Sequence, residues 1–173
     1  MKSHLDDHPL QGAFLANRLD RLAELIVGQG ETLLADVGVE IPPRAVSAIL
    51  IIGEEGAVST ADIAEMLGQQ HQVTTQRIEL LIADEIITRT PDPGDRRRKL
   101  LTLTKKGREQ YAALRQRLET ATQVFDELCQ EIGCDLPPIL DKMADALKSR
   151  PLVERAREIE ARKPLNTSSE APS

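Results

Sequence analysis

The stretch that decides the fold runs from Ser59 to Gly107, STADIAEMLGQQHQVTTQRIELLIADEIITRTPDPGDRRRKLLTLTKKG. Ser59 with Asp62 three residues on is a helix start signal. Ile63, Ala64 and Leu67 give that helix one apolar face, and Gly68 ends it. After a turn from Gln69 to Gln72, Val73, Ile78, Leu81 and Ile82 mark a second helix. Small Ala64 and turn-forming Gly68 suit two helices that cross closely. Two strands then follow, Ile86 to Thr90 and Lys99 to Leu103, both rich in β-branched or apolar residues. Between them Pro91, Asp92, Pro93, Gly94 and Asp95 form a turn, and four consecutive cations, Arg96 to Lys99, come directly after it. Helix, turn, helix, hairpin is the order of a winged helix-turn-helix.

Working outward, residues 1–12 are polar and read as a mobile tail. His4 and His8 stand four apart without a third ligand nearby, so no metal site is expected there. From residue 13 to 36, Leu15, Leu19, Leu22, Ile26 and Leu33 recur at helical spacing, with Gly28 and Gly30 allowing a bend or a close contact. Gly38 and the pair Pro42-Pro43 end that unit. The run Ala48-Ile49-Leu50-Ile51-Ile52 predicts a central, buried helix over 44–55. Beyond the second strand, Thr104 caps a long helix. In it Tyr111, Leu114, Leu118, Ala121, Phe125, Leu128 and Ile132 form a heptad seam ending at Gly133. Such a helix reaches about 40 Å at 1.5 Å per residue, more than a small winged domain covers, so a partner chain is expected over its far end. Pro137-Pro138 opens a last helix with Ile139, Leu140, Met143 and Leu147. Residues 150–173 are charged, then Ser/Pro-rich, and read as a disordered tail.

Three elements carry a resemblance: Asp62-Ile63-Ala64-Glu65-Met66-Leu67-Gly68, Asp92-Pro93-Gly94-Asp95-Arg96-Arg97, and Leu103-Thr104-Lys105-Lys106-Gly107. Through them, and through the flanking helices from Leu15 to Leu147, the chain resembles the MarR family of bacterial transcription regulators. It departs from the family at Glu85, where Gly is usual, and at Thr74 and Arg77, positions commonly apolar. The fold implied is mainly α, a winged helix-turn-helix with a two-stranded β wing, over residues 13–149. Within it 42–103 is the DNA-binding core, and 13–36 and 104–149 are dimerisation helices. Leu15, Leu19, Leu22, Leu118, Phe125, Leu128 and Ile132 are the expected dimer seam.

A helix entering the major groove presents its N-terminal residues to base edges. Here those are Gln72, Thr74, Thr75, Gln76 and Arg77: Gln suits adenine, Arg guanine, and Thr a thymine methyl or a phosphate. On a strand, Arg96 and Arg98 would face one way and Arg97 the other. The resemblance implies that an Arg of the Asp-Arg-Arg element, Arg97 first and Arg96 second, enters the minor groove. Asp95 would hold it through a bidentate pair. Lys105, Lys106 and Arg108 are candidate phosphate contacts. The resemblance also implies a small-molecule effector, which nothing in the residues identifies. Some relatives sense oxidants through cysteine; Cys129 and Cys134, five apart at a helix end, read here as inert, half-buried thiols.

Composition sets bounds on these readings. Aromatics are 2% with no Trp, so the core must be aliphatic. The net charge of −6 alone argues against a nucleic-acid partner. Its distribution argues for one: residues 72–115 hold ten Lys+Arg against six Asp+Glu, a net +4, and the rest of the chain carries −10. No signal peptide and no membrane-length apolar run is present, and two cysteines fit a reducing cytoplasm. There is no nucleophile–base pair, metal-spaced set or phosphate loop, so neither an enzyme nor a cofactor is expected. The reading is a cytoplasmic homodimeric repressor of double-stranded DNA on a pseudo-palindromic operator. Its rival is a winged helix used for protein–protein contact alone, which the overall acidity favours and the arginine run opposes.

Overall fold

The computed structural model describes Leu5, residues 7–95 and residues 97–162. It divides into two compact units, one through Ala121 and one from Thr122 onward. In the first, a 3-10 turn at Gln11–Phe14 leads into α1 (Leu15–Ala35), then α2 (Val46–Glu55), α3 (Thr60–Met66) and α4 (His71–Ala83). The antiparallel wing follows, β1 (Ile87–Pro91) and β2 (Lys99–Leu103), and then α5 (Lys105–Glu131), which continues into the second unit. That unit adds α6 (Leu136–Ser149) and α7 (Leu152–Arg162). The mainly α winged helix-turn-helix expected from the sequence is what the chain forms.

The core of the first unit is aliphatic, as the lack of aromatics requires. Ile49 and Ile52 of α2, Ile63 of α3, Ile78 and Leu81 of α4, and Leu101 of β2 are among its largest fully buried side chains. Each removes about 1.5–3 kcal/mol worth of apolar surface from water. Ile87 pairs with Leu103 and Pro91 with Lys99, and a bridge from Val58 to Leu101 sets β2 beside the start of α3. Proline ends β1, at a position where its missing N–H costs least. α1 is unbroken through Gly28 and Gly30. Gly30 makes a close contact with Pro43, whose ring would lie 3.5 Å from an added Cβ.

Four helix ends share one geometry. At the ends of α1, α3, α4 and α5 the chain makes a 6→1 and a 5→2 backbone bond around one left-handed residue. For α4 these are Ile86 N–H to Leu81 O (2.9 Å) and Glu85 N–H to Ile82 O (3.0 Å). The left-handed residue is Gly in three of the four, Gly38, Gly68 and Gly133, but at α4 it is Glu85, with φ of 57°. Only glycine occupies that region freely.

Thr104 and Gly107 join this turn to α5. The Thr104 hydroxyl donates to the Glu85 carbonyl (2.6 Å) and accepts the Gly107 N–H (2.9 Å), while the Thr104 N–H donates to the Ile86 carbonyl (3.0 Å). A Cβ on Gly107 would overlap the Ile86 carbonyl oxygen, so only glycine permits this approach. The Leu-Thr-x-x-Gly element is therefore a packing device.

Three expectations need correction. Residues 150–173 were expected to be a disordered tail, yet α7 forms over Leu152–Arg162; residues 163–173 lie outside the described residues. Three of its charged side chains, Arg155, Glu158 and Arg162, have partners within the chain. Arg155 donates to the Ala146 carbonyl (2.7 Å) and the Arg150 carbonyl (2.9 Å), and Glu158 accepts from Arg150 at 3.1 Å and lies 3.6 Å from Arg162. Leu118, expected in the dimer seam, packs half-buried against the core of its own chain beside buried Leu114, because α5's first four turns belong to that core. The turn before α4 is also shorter than expected, with the helix beginning at His71.

The start of α3 is a complete capping box: Asp62 N–H donates to Ser59 Oγ (3.3 Å), and Ser59 N–H donates to Asp62 Oδ2 (3.0 Å). The Ser59 hydroxyl and N–H, with a smaller contribution from Arg98, hold the Asp62 carboxyl below its usual 3.8.

Two predictions follow from this geometry. Glu85→Gly relieves the left-handed strain and raises the unfolding free energy by about 1 kcal/mol, read by urea denaturation; lower stability would show that the Glu85 side chain offsets the strain. Asp62 stabilises when ionised, so its contribution is full above its unfolded pKa and is lost as pH falls through the lower folded value. Asp62→Asn should therefore flatten the fall in stability below about pH 4, by less than about 1 kcal/mol because the pair is part-exposed.

Candidate nucleic-acid interface

Helix α4 carries its apolar contacts on Thr74, Ile78 and Leu81, all fully buried. At 100° per residue, that places Gln72, Gln76 and Glu79 on the opposite, exposed face. Gln72 and Gln76 are thus one turn apart at the N-terminal end, where a groove-bound helix meets base edges. Thr74 is corrected out of the readout set. Its side chain is 0% exposed, with the hydroxyl 3.5 Å from the Gln70 carbonyl, so it packs as the small apolar residue usual at its position. Thr75 is half-buried and donates to the His71 carbonyl (2.8 Å). Arg77 lies on the flank of the helix and donates to Gln69 Oε1 (2.7 Å).

His71, exposed in the first turn of α4, was missed because the sequence reading placed it in the turn. Glu79 was missed as well; it accepts from Arg89 of β1 at 2.5 and 3.4 Å, tying the exposed side of α4 to the wing. Only the fold brings those two together, ten residues apart in sequence.

Arg97 and Arg98 lie in the turn between the strands and not on a strand, so strand alternation does not set the directions they face. Asp92 N–H donates to the Arg98 carbonyl (3.1 Å) and Arg98 N–H to the Asp95 carbonyl (2.9 Å), closing the turn. Asp92 Oδ1 accepts the Gly94 N–H (2.7 Å) and Asp95 Oδ1 the Arg97 N–H (2.9 Å). Asp95 therefore grips the main chain of Arg97, where a bidentate pair to a guanidinium was expected. Arg97 is exposed; Arg96 lies outside the described residues. Arg98 is bound inward, to Asp62 of the α3 capping box and, at 3.8 Å, to Asp92.

The candidate phosphate contacts divide. Lys105 is exposed at the start of α5. Lys106 pairs with Glu40 at 2.8 Å and donates to the Asp84 carbonyl, and the bond to Glu40 holds its ammonium above the usual 10.5. Arg108 donates to the Leu103 carbonyl (3.0 Å). Both are therefore engaged within the chain.

Elsewhere, Leu15, Leu19 and Leu22 of α1 are exposed in one row, and Phe125, Leu128 and Ile132 of α5 in another, at 44%, 44% and 54%. Cys129 and Cys134 are half-buried, free thiols at the 6→1 turn that ends α5, the Cys134 N–H donating to the Cys129 carbonyl (3.0 Å). That is where Leu34 with Val39, and Leu81 with Ile86, place apolar pairs at other helix ends. No three His, Cys, Asp or Glu side chains among the described residues are grouped to hold a metal, and no described helix is long and apolar enough to cross a membrane.

Comparison with known proteins gives the same picture. A family model described as MarR family matches residues 40–98. The chain is similar to the transcriptional repressor CouR bound to a 23-mer DNA duplex, at 24% identity and TM-score 0.60, covering 81% of this chain and 96% of that one. It is similar to a MepR-like protein complexed with pseudoligands, at 26% identity and TM-score 0.53, covering 73% and 92%. It is also similar to BpsR of Bordetella bronchiseptica, whose DNA binding is regulated by 6-hydroxynicotinic acid, at 21% identity and TM-score 0.59, covering 84% and 99%. No curated protein matches by sequence. MarR-family regulators are DNA-binding proteins, not enzymes. Residues 40–98 of this chain match the MarR family model, and the chain is similar in fold to winged helix-turn-helix transcription regulators.

Proposed function

We propose that the protein is a sequence-specific, cytoplasmic DNA-binding repressor that works as a homodimer on a pseudo-palindromic operator. The observation that carries this reading is the exposed face of α4, with Gln72 and Gln76 one turn apart, beside a wing turn that leaves Arg97 free to reach a groove. Gln pairs bidentately with adenine in the major groove, and an arginine suits the negative potential of a narrow minor groove. His71 and Lys105 supply nearby contacts to the phosphates. The exposed leucines of α1 and the exposed end of the α5 seam support dimerisation, since apolar rows of this kind seldom stay open to water. Two-fold symmetry would set half-sites about 34–36 Å apart. Release by a small-molecule effector completes the reading, as the similar BpsR responds to such a ligand.

Fluorescence anisotropy on the gene's own upstream duplex, against a scrambled duplex over a salt series, tests the reading. Affinity should fall steeply with salt and favour the native duplex. Arg97→Ala and Gln76→Ala should each cost about 1–3 kcal/mol, the second with relaxed sequence preference. Absence of binding at low salt would leave the acidic chain as a protein-interaction module. Separately, Phe125→Asp should convert the dimer to monomer in sedimentation, at roughly neutral effect on monomer folding because Phe125 is half-exposed; an unchanged dimer would remove α5 from the interface.

A further inference from the structure

We propose that Arg98 is a positioning residue that clamps the wing turn to the start of the helix-turn-helix and makes no contact with DNA itself. This rests on the DNA-binding reading above. Of the cations that follow Asp95, Arg98 is held by two carboxylates from different elements. Asp62 Oδ2, already the acceptor for the Ser59 N–H and hydroxyl (3.0 and 2.8 Å), also receives the Arg98 guanidinium. The other amino group of that guanidinium lies 3.8 Å from Asp92 Oδ2, an ion pair longer than a hydrogen bond, and the second oxygen of Asp92 holds the Gly94 N–H. Polar contacts therefore run from the α3 cap through Arg98 to the tip of the wing.

The arrangement has two physical consequences. A guanidinium between two carboxylates has its charge compensated inside the protein and offers little to a phosphate. The wing, whose strands are already tied to α4 through Arg89 and Glu79 and bridged to Val58, gains through its turn a direct tie to α3. Its orientation is then set before DNA arrives, so less ordering is left for the binding step. A flexible turn would present Arg97 over a range of directions.

The test is the salt dependence of binding to a duplex that the wild type binds. Arg98→Ala should lower affinity about fivefold at fixed salt through lost preorganisation, with the slope of log K against log salt unchanged. Arg97→Ala should instead reduce that slope by about one, as loss of a phosphate or groove cation does. Asp62→Asn should match the loss of Arg98→Ala, and the double variant should be no weaker than the worse single one, because both remove the same link. A slope lower by about one for Arg98→Ala, or an affinity equal to wild type, overturns the proposal. Should the wild type bind no duplex, the functional reading fails first. Amide exchange then decides the clamp: the Gly94, Arg97 and Arg98 amides should exchange faster in Arg98→Ala, and unchanged exchange overturns it.

Discussion

The left-handed turn that ends each of four helices is the constraint on which the rest of this structure depends. A 6→1 bond fixes the direction in which the chain leaves a helix, so each turn sets the angle of the next element before any side chain packs. Three of these turns have glycine, and their cost is small. The fourth, after α4, forces Glu85 into a region that L-residues avoid. It persists because the residues on either side are over-determined: Ile86 is buried against Leu81, and the Glu85 carbonyl is held by the Thr104 hydroxyl. Local propensity loses there to tertiary packing.

The basic edge of the protein is narrower than its charge count. Residues 72–115 carry a net +4, but Lys106, Arg108, Arg98 and Arg89 are all engaged by acceptors within the chain. Among the described residues of that stretch, Arg97, Lys99, Lys105 and Arg115 remain exposed, with Gln72 and Gln76 outward on α4.

Most of the fold was legible in the sequence because its signals are local. The Ser59–Asp62 box, the Gly68, Gly133 and Pro93-Gly94 breakers and the apolar run of α2 each fix one element within a few residues. The site was less legible because its pairings are long-range. Nothing near Arg98 in sequence marks Asp62 as its partner, 36 residues away, and nothing near Glu79 marks Arg89. Thr74 reads as a polar reader until the phase of α4 is known, and one residue of phase separates a buried side chain from an exposed one. The α7 helix was missed for a different reason: its charge suggested solvation, whereas Arg155 folds back onto the carbonyls that end α6.

Thr104 has a mechanical consequence as well as a structural one. Its hydroxyl and N–H hold the two carbonyls that leave the recognition helix, while the same hydroxyl begins α5. With Gly107 seated on the Ile86 carbonyl, no slack backbone lies between the two helices at this point. Helix α4 cannot roll about its own axis without dragging the first turn of α5 with it. The other end of α4 is held less firmly, since Gln70 lacks a side-chain cap. A motion that re-aims the exposed face of α4 would enter through that end or through α5 itself, which behaves at this joint as an axle and not as a hinge.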